Sequence, residues 1–193
     1  MTPATTTLNP LERTTLPVHL RRLVLTGFMG AGKSTVGRLL AARTGWTFLD
    51  LDTHLEARTG ATIPQLFQRH GEARFRRLES SALASALAAS NTILALGGGT
   101  PEELTNRLLI EQTPGTFTIF LDAPFPTLFD RCMLQDITRP VLQDPVAAEQ
   151  RFARRHPLYT RLAQLTLDTA DLTPETTVDA ILRALNHHGD SPR

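Results

Sequence analysis

An apolar run at residues 23–26 leads straight into Gly27-Phe28-Met29-Gly30-Ala31-Gly32-Lys33-Ser34, and the stretch that follows reads as a helix. This pattern, G-x-x-x-x-G-K-[ST], constrains the chain more than any other feature. Glycines let successive backbone N–H groups turn inward around phosphate oxygens, and the following helix points its positive end at them. Lys33 has the reach for the β- and γ-phosphates, and the Ser34 hydroxyl is a ligand for Mg²⁺. A strand before and a helix after are the context the pattern requires. The segment therefore predicts binding of ATP or GTP, with Gly30 inside the loop assigned to the phosphates.

The rest of the chain repeats this alternation. Short apolar runs at 23–26, 47–51, 92–96, 116–121 and 165–167 are separated by helix-like segments near 33–44, 53–69, 72–89, 101–111, 125–134, 145–163 and 175–187. Pro101, Pro124 and Pro174 stand where helices are expected to start, a position proline tolerates. Five such strands imply an α/β fold, with a parallel sheet covered by helices on both faces. Residues 1–20 lack either periodicity and read as a flexible extension. Residues 21–187 read as one domain, and 188–193 as a frayed tail.

Composition narrows the function classes. With 193 residues and a net charge of +1, the chain suits a single domain with no bias toward nucleic acid or membrane. No apolar run approaches the roughly 18 residues of a membrane span. The N-terminus lacks the pattern of a secretory signal, and Cys132 is the only cysteine, which fits a reducing, cytoplasmic setting. Of 20 basic residues, Lys33 alone is lysine. A position that keeps lysine amid such an arginine bias needs the slim ammonium itself. It also disposes of a GTPase switch, whose guanine-reading Asn-Lys-x-Asp requires a second lysine. A motor or helicase needs far more chain. A small kinase or a catalytically silent nucleotide-binding regulator remains.

Further motifs bear on that choice. The second apolar run ends in Phe48-Leu49-Asp50-Leu51-Asp52, and two carboxylates at a strand's C-terminal end are expected to project to one side, at the ligand-binding edge. One would hold Mg²⁺ through water and the other would accept a hydrogen bond from the hydroxyl being phosphorylated. A helix N-cap explains one of them equally well. Asp122 competes for the Mg²⁺ role, and Asp50 is preferred. In Phe75-Arg76-Arg77-Leu78-Glu79 the two arginines point about 100° apart on a helix, so only one faces a cleft. Gly97-Gly98-Gly99 after the third run suggests close approach of backbone to a ligand. Gln135–Pro140 reads as a lid carrying Arg139, an arginine able to close over phosphates. Arg154-Arg155-His156-Pro157-Leu158-Tyr159 places further cations near a helix end.

In this order, the phosphate loop, the Phe-x-Asp-x-Asp pair, Phe-Arg-Arg-x-Glu, Leu-Gly-Gly-Gly, the Arg-Pro lid and Arg-x-Pro-Leu-Tyr resemble the shikimate kinase family. They span residues 27–159. The resemblance implies a P-loop NTPase three-layer sandwich with a five-stranded parallel sheet and a lid. It also implies transfer from MgATP to the 3-hydroxyl of shikimate. On that basis Asp52, Arg76, Gly98 and Arg155 hold shikimate, the two arginines through its carboxylate. Ser34 and Asp50 serve Mg²⁺. Lys33 and Arg139 meet the transferring phosphoryl group, with Asp52 at the nucleophile, and Arg131 stacks on adenine. Gly30, Ala31, Gly32, Lys33, Ser34 and Thr35 cradle the nucleotide phosphates.

Departures from the family are local. The lid reads Arg139-Pro140-Val141-Leu142, Cys132 stands where many members carry a second basic residue, and an adenine-side arginine is replaced by Ala170-Asp171-Leu172. They bear on ATP affinity and lid closure. Kinases for other small sugar acids such as gluconate are the neighbouring alternative, and the expected assembly is a monomer acting on a small molecule.

Overall fold

The computed structural model describes residues 13–134 and 144–189. Five strands, β1 (Arg22–Thr26), β2 (Thr47–Asp50), β3 (Thr92–Ala95), β4 (Thr116–Asp122) and β5 (Leu165–Asp168), form one parallel sheet in the order β2-β3-β1-β4-β5. β1 is central, and its side chains alternate between two cores. Leu23 and Leu25 join Phe120, Tyr159 and Leu185 in one, while Val24 joins Leu51, Leu83 and Leu94 in the other. All five β1 residues are buried, as a strand covered on both faces must be. β1 pairs with β3 on one side and β4 on the other; the connection from β1 goes to β2 at one edge, whereas that from β3 crosses to β4 on the other side. A crevice therefore opens at the carboxyl edge of the sheet, where ligands of open α/β sheets bind.

The helices are α1 (Lys33–Thr44), α2 (Leu51–Thr59), α3 (Ile63–Leu87), α4 (Leu104–Gln112), α5 (Phe125–Leu134), α6 (Pro145–Leu162) and α7 (Pro174–Gly189). The expected helix at 53–69 does not exist as one piece. Gly60, left-handed at φ 65°, ends α2, and Thr62 starts α3 with a capping box to Gln65. The expected boundary at residues 70–71 is borne out: α3 is two helices meeting at a kink at Gly71, whose backbone (φ 68°, ψ 174°) is not helical. The segment expected as a helix from 101 opens instead with a 3-10 turn, Thr100–Glu102, before α4 begins at Leu104.

Residues 13–20, read from sequence as part of the extension, carry two core side chains. Leu16 and Leu20 are only 7% and 6% exposed, and the Thr14 N–H donates to the Arg43 carbonyl at 2.9 Å. Burying two leucines offsets the entropy of ordering a short segment. No helix among the described residues is long and apolar enough to cross a membrane.

Candidate active site

The loop between β1 and α1 forms the floor of a cavity of about 360 Å³ at the carboxyl edge. Gly30, Gly32, Lys33, Ser34 and Thr35 line it, joined by Asp50 from the end of β2. Ala31 is buried, so only its backbone can serve a ligand. Gly30 has φ 79°, and a Cβ there would collide with the Leu128 carbonyl oxygen and crowd the Cys132 Sγ. The loop is thus locked against α5 as well as drawn into a turn that side chains resist. Lys33 Nζ donates to the Gly27 and Phe28 carbonyls at 2.8 and 2.9 Å.

Asp50 does two jobs at once. Its Oδ1 accepts from the Asp52 and Thr53 N–H groups as the N-cap of α2, while its Oδ2 accepts from Ser34 Oγ at 2.8 Å. The expectation that Asp50 and Asp52 both project from a strand is corrected here. β2 ends at Asp50, and Asp52 lies in the first turn of α2. The cap, not strand alternation, brings both to the crevice. Among the described residues no group of three or more His, Cys, Asp or Glu converges as a metal site. One carboxylate and one hydroxyl still suit Mg²⁺, which takes few protein oxygens beside water and substrate phosphates. Asp122 is engaged elsewhere, 3.0 Å from His156 Nε2.

A second cavity, of about 520 Å³, adjoins the first, and Asp52, Gly97, Gly98 and Arg155 line both. Arg76 and Arg154 line the second alone, while Arg77 is exposed, which settles which of the adjacent arginines faces the cleft. Arg76 is held by Glu79 at 2.9 Å and by Glu72 at 3.3 Å. Glu79, 2% exposed, is fixed in turn by Thr100 Oγ1 at 2.8 Å. Burial works against the Arg76 charge, yet these carboxylates outweigh it and raise its pKa above the usual value. A methyl at Gly99 would stand 2.8 and 2.9 Å from the two Arg76 Nη atoms, and one at Gly98 no nearer than 3.7 Å to anything. A methyl at Gly97 would likewise stand 2.8 Å from Asp52 Oδ1, so Gly97 and Gly99 both lie against side chains that line the pocket. Gly98 contributes a carbonyl, which accepts from the buried Tyr159 hydroxyl at 2.6 Å.

One expected residue stands apart. Arg131 lines neither cavity, and its Nη2 donates to the Thr169 and Ala170 carbonyls at 2.6 and 3.0 Å, fixing the guanidinium plane beside the β5–α7 loop. Arg139 lies outside the described residues. Three residues were missed as parts of the site: Glu79, Glu102 and Tyr159. Glu79 carries a signal in its i, i+3 spacing from Arg76. The other two are joined to their partners only through the tertiary fold.

A phosphate loop leaving the central strand, a hydroxyl–carboxylate pair beside it and an adjoining arginine-lined pocket define a small-molecule kinase of the P-loop NTPase class. The family model for shikimate kinase matches residues 29–186. The chain is 41% identical over 165 residues to shikimate kinase from Xanthomonas campestris pv. campestris (strain 8004), covering 83% of this chain and 90% of that one. It is 40% identical over 161 residues to shikimate kinase from Lactococcus lactis subsp. lactis (strain IL1403), covering 82% and 94%. The structure of shikimate kinase from Acinetobacter baumannii in complex with shikimate superimposes with a TM-score of 0.82 at 33% identity, covering 89% of this chain and 96% of that one. The chain belongs to the shikimate kinase family.

Proposed function

We propose that this protein transfers the γ-phosphoryl group of ATP to the 3-hydroxyl of shikimate, giving shikimate 3-phosphate and ADP for aromatic amino acid biosynthesis. The observation that carries the reading is the meeting of the two cavities at Asp52. One side has a phosphate loop, and the other has forked cations suited to a carboxylate.

The roles follow from these positions. Gly30, Gly32, Ser34 and Thr35 receive the nucleotide phosphates, with the Ala31 N–H contributing backbone alone. Lys33 turns from the loop carbonyls to offset charge on the transferring group. Ser34 and Asp50 would hold Mg²⁺, which would offset negative charge on the nucleotide phosphates. Arg76 and Arg155 receive the acceptor's carboxylate, and the glycine run admits its ring beside Gly98. Asp52 accepts the hydrogen bond of the attacking hydroxyl, whose oxygen forms the new bond to phosphorus as the bond to ADP breaks. Arg131 flanks the adenine, and Arg139, outside the described residues, is assigned with Lys33 to the transferring phosphoryl group.

The same reading makes the domain expected over residues 21–187, together with the core-packed residues 13–20, the catalytic unit, acting as a monomer in the cytoplasm. Near-neutral charge and a single cysteine support that setting.

A coupled assay of ADP release, with and without shikimate, tests the proposal on wild type and Asp52→Asn. Shikimate-dependent turnover that collapses in the variant is expected. Turnover on gluconate or another hydroxy acid in its place would overturn the substrate assignment. Nucleotide binding without turnover on any acceptor would make the protein a silent regulator.

A further inference from the structure

Glu102 ends the 3-10 turn that follows the glycine run, and its carboxylate is divided between two guanidinium groups. Its Oε2 accepts from Arg155 Nε and Nη2 at 2.9 and 2.7 Å. Its Oε1 accepts from Arg154 Nε and Nη2 at 3.0 and 2.7 Å. Arg76 Nη2 stands 3.6 Å from the same Oε2. The fork assigned to an incoming carboxylate is therefore already filled by a carboxylate of the chain itself.

The backbone beneath Glu102 is fixed. Its N–H donates to the Gly99 carbonyl at 3.0 Å, and its own carbonyl accepts from Arg107 Nη1 at 3.1 Å. Asn106, wholly buried, holds the Thr100 carbonyl at 3.0 Å. The Glu102 side chain itself is 20% exposed and, among the described residues, is held by the arginines alone. Arg154, 66% exposed, offers it a partner at the rim, whereas Arg155 is 11% exposed and faces inward. Glu79, the other carboxylate against Arg76, is buried and tied to Thr100 and cannot leave. Burial alone would raise the pKa of Glu102, but hydrogen bonds and charge from Arg155 and Arg154 outweigh it and hold the group below the usual carboxylate range. At neutral pH it is an anion.

We propose that Glu102 is a specificity-determining residue: it occupies Arg155 in the free protein and yields only to an acceptor that brings a carboxylate of its own, turning outward on Arg154. Two carboxylates at one guanidinium repel in a partly desolvated pocket, so Glu102 opposes every anionic acceptor that does not displace it. A neutral polyol has no charge-assisted hydrogen bonds to exchange for those it would break, and it leaves the pocket closed. Glu102 thus lowers affinity for the true acceptor while excluding uncharged look-alikes. The inference rests on shikimate, a carboxylate, being the acceptor.

The test compares wild type with Glu102→Gln, with Glu102→Ala as a second variant in case either fails to fold. Calorimetric binding of shikimate and steady-state kinetics are the readouts. Losing the internal competitor tightens shikimate roughly tenfold in Kd and KM, the scale of one charge-assisted interaction, with the KM for MgATP unchanged. An analogue with the carboxylate reduced to a primary alcohol, shut out of wild type, gains binding in the variants by a larger factor than shikimate does, and its continued exclusion there overturns the specificity role. Unchanged or weaker shikimate binding in the variants overturns the inference and makes Glu102 a support that orients Arg155. Shikimate binding to neither wild type nor variants overturns the substrate assignment, and the inference with it.

Discussion

The Tyr159 hydroxyl, on a side chain with no solvent exposure, donates to the Gly98 carbonyl across 61 residues of sequence at 2.6 Å. Burial pushes the Tyr159 pKa up, so it is a neutral donor at neutral pH. One hydrogen bond thus ties α6, which carries Arg155, to the glycine run beside it. Tyr159→Phe leaves the carbonyl unpaired, and a loss of about 1–3 kcal/mol in unfolding free energy is expected. Urea denaturation measures it. The KM for shikimate should rise in parallel, because Arg155 and Gly98 lose their common reference.

Gly98 and Gly99 separate cleanly by substitution. Gly99→Ala puts a methyl 2.8 Å from the Arg76 guanidinium and 3.1 Å from that of Arg155. It should raise the shikimate KM at least tenfold, the scale expected for a displaced positioning group. Gly98→Ala meets nothing inside 3.7 Å and should be much milder. Steady-state kinetics on the pair settles it, and equal effects would contradict the geometry.

Arg22 works at the opposite edge of the sheet. Only 6% exposed, it donates to the Ala89 and Pro114 carbonyls and to Thr116 Oγ1, joining the entries to β3 and β4. Arg22→Met should cost about 2–4 kcal/mol of stability by stranding these acceptors, with kcat at 25 °C nearly unchanged. Thermal unfolding and the ADP-release assay together check both halves.

Acid should act through Glu102. Its folded pKa is depressed, so its contribution to stability is present above the unfolded pKa and is lost as pH falls through the folded one. Wild type should therefore lose stability relative to Glu102→Gln as pH drops through and below the carboxylate range. The exposure of Arg154 keeps the difference small. Denaturation of both proteins across that range measures it.

Much of this was legible in the sequence because it is local. Strand residues such as Leu23 and Ile93 announce themselves as short apolar runs, and the loop from Gly27 to Ser34 as fixed spacing. Asp50 was weighed as cap and as metal ligand, and the structure has it capping α2 while touching Ser34. What stayed hidden depends on partners distant in the chain. Glu102 meets Arg155 across 53 residues, and Leu16 and Leu20 reach the core from a segment with no periodicity of its own. The break between α2 and α3 was missed because apolar spacing persists across Gly60, whose left-handed backbone overrides it.

The central place of β1 divides the molecule by mechanical robustness. The phosphate loop grows from a strand paired on both sides. Asp52, Ile63 and Phe67 line the second cavity from α2 and from the part of α3 that precedes the kink at Gly71. Local opening of α2 and the first half of α3 would erase the acceptor pocket and leave the donor loop standing. Under mild stress the protein should thus pass through a form that still holds nucleotide but has no second reactant. Hydrogen exchange would show it as early labelling of residues 51–71 against a protected β1.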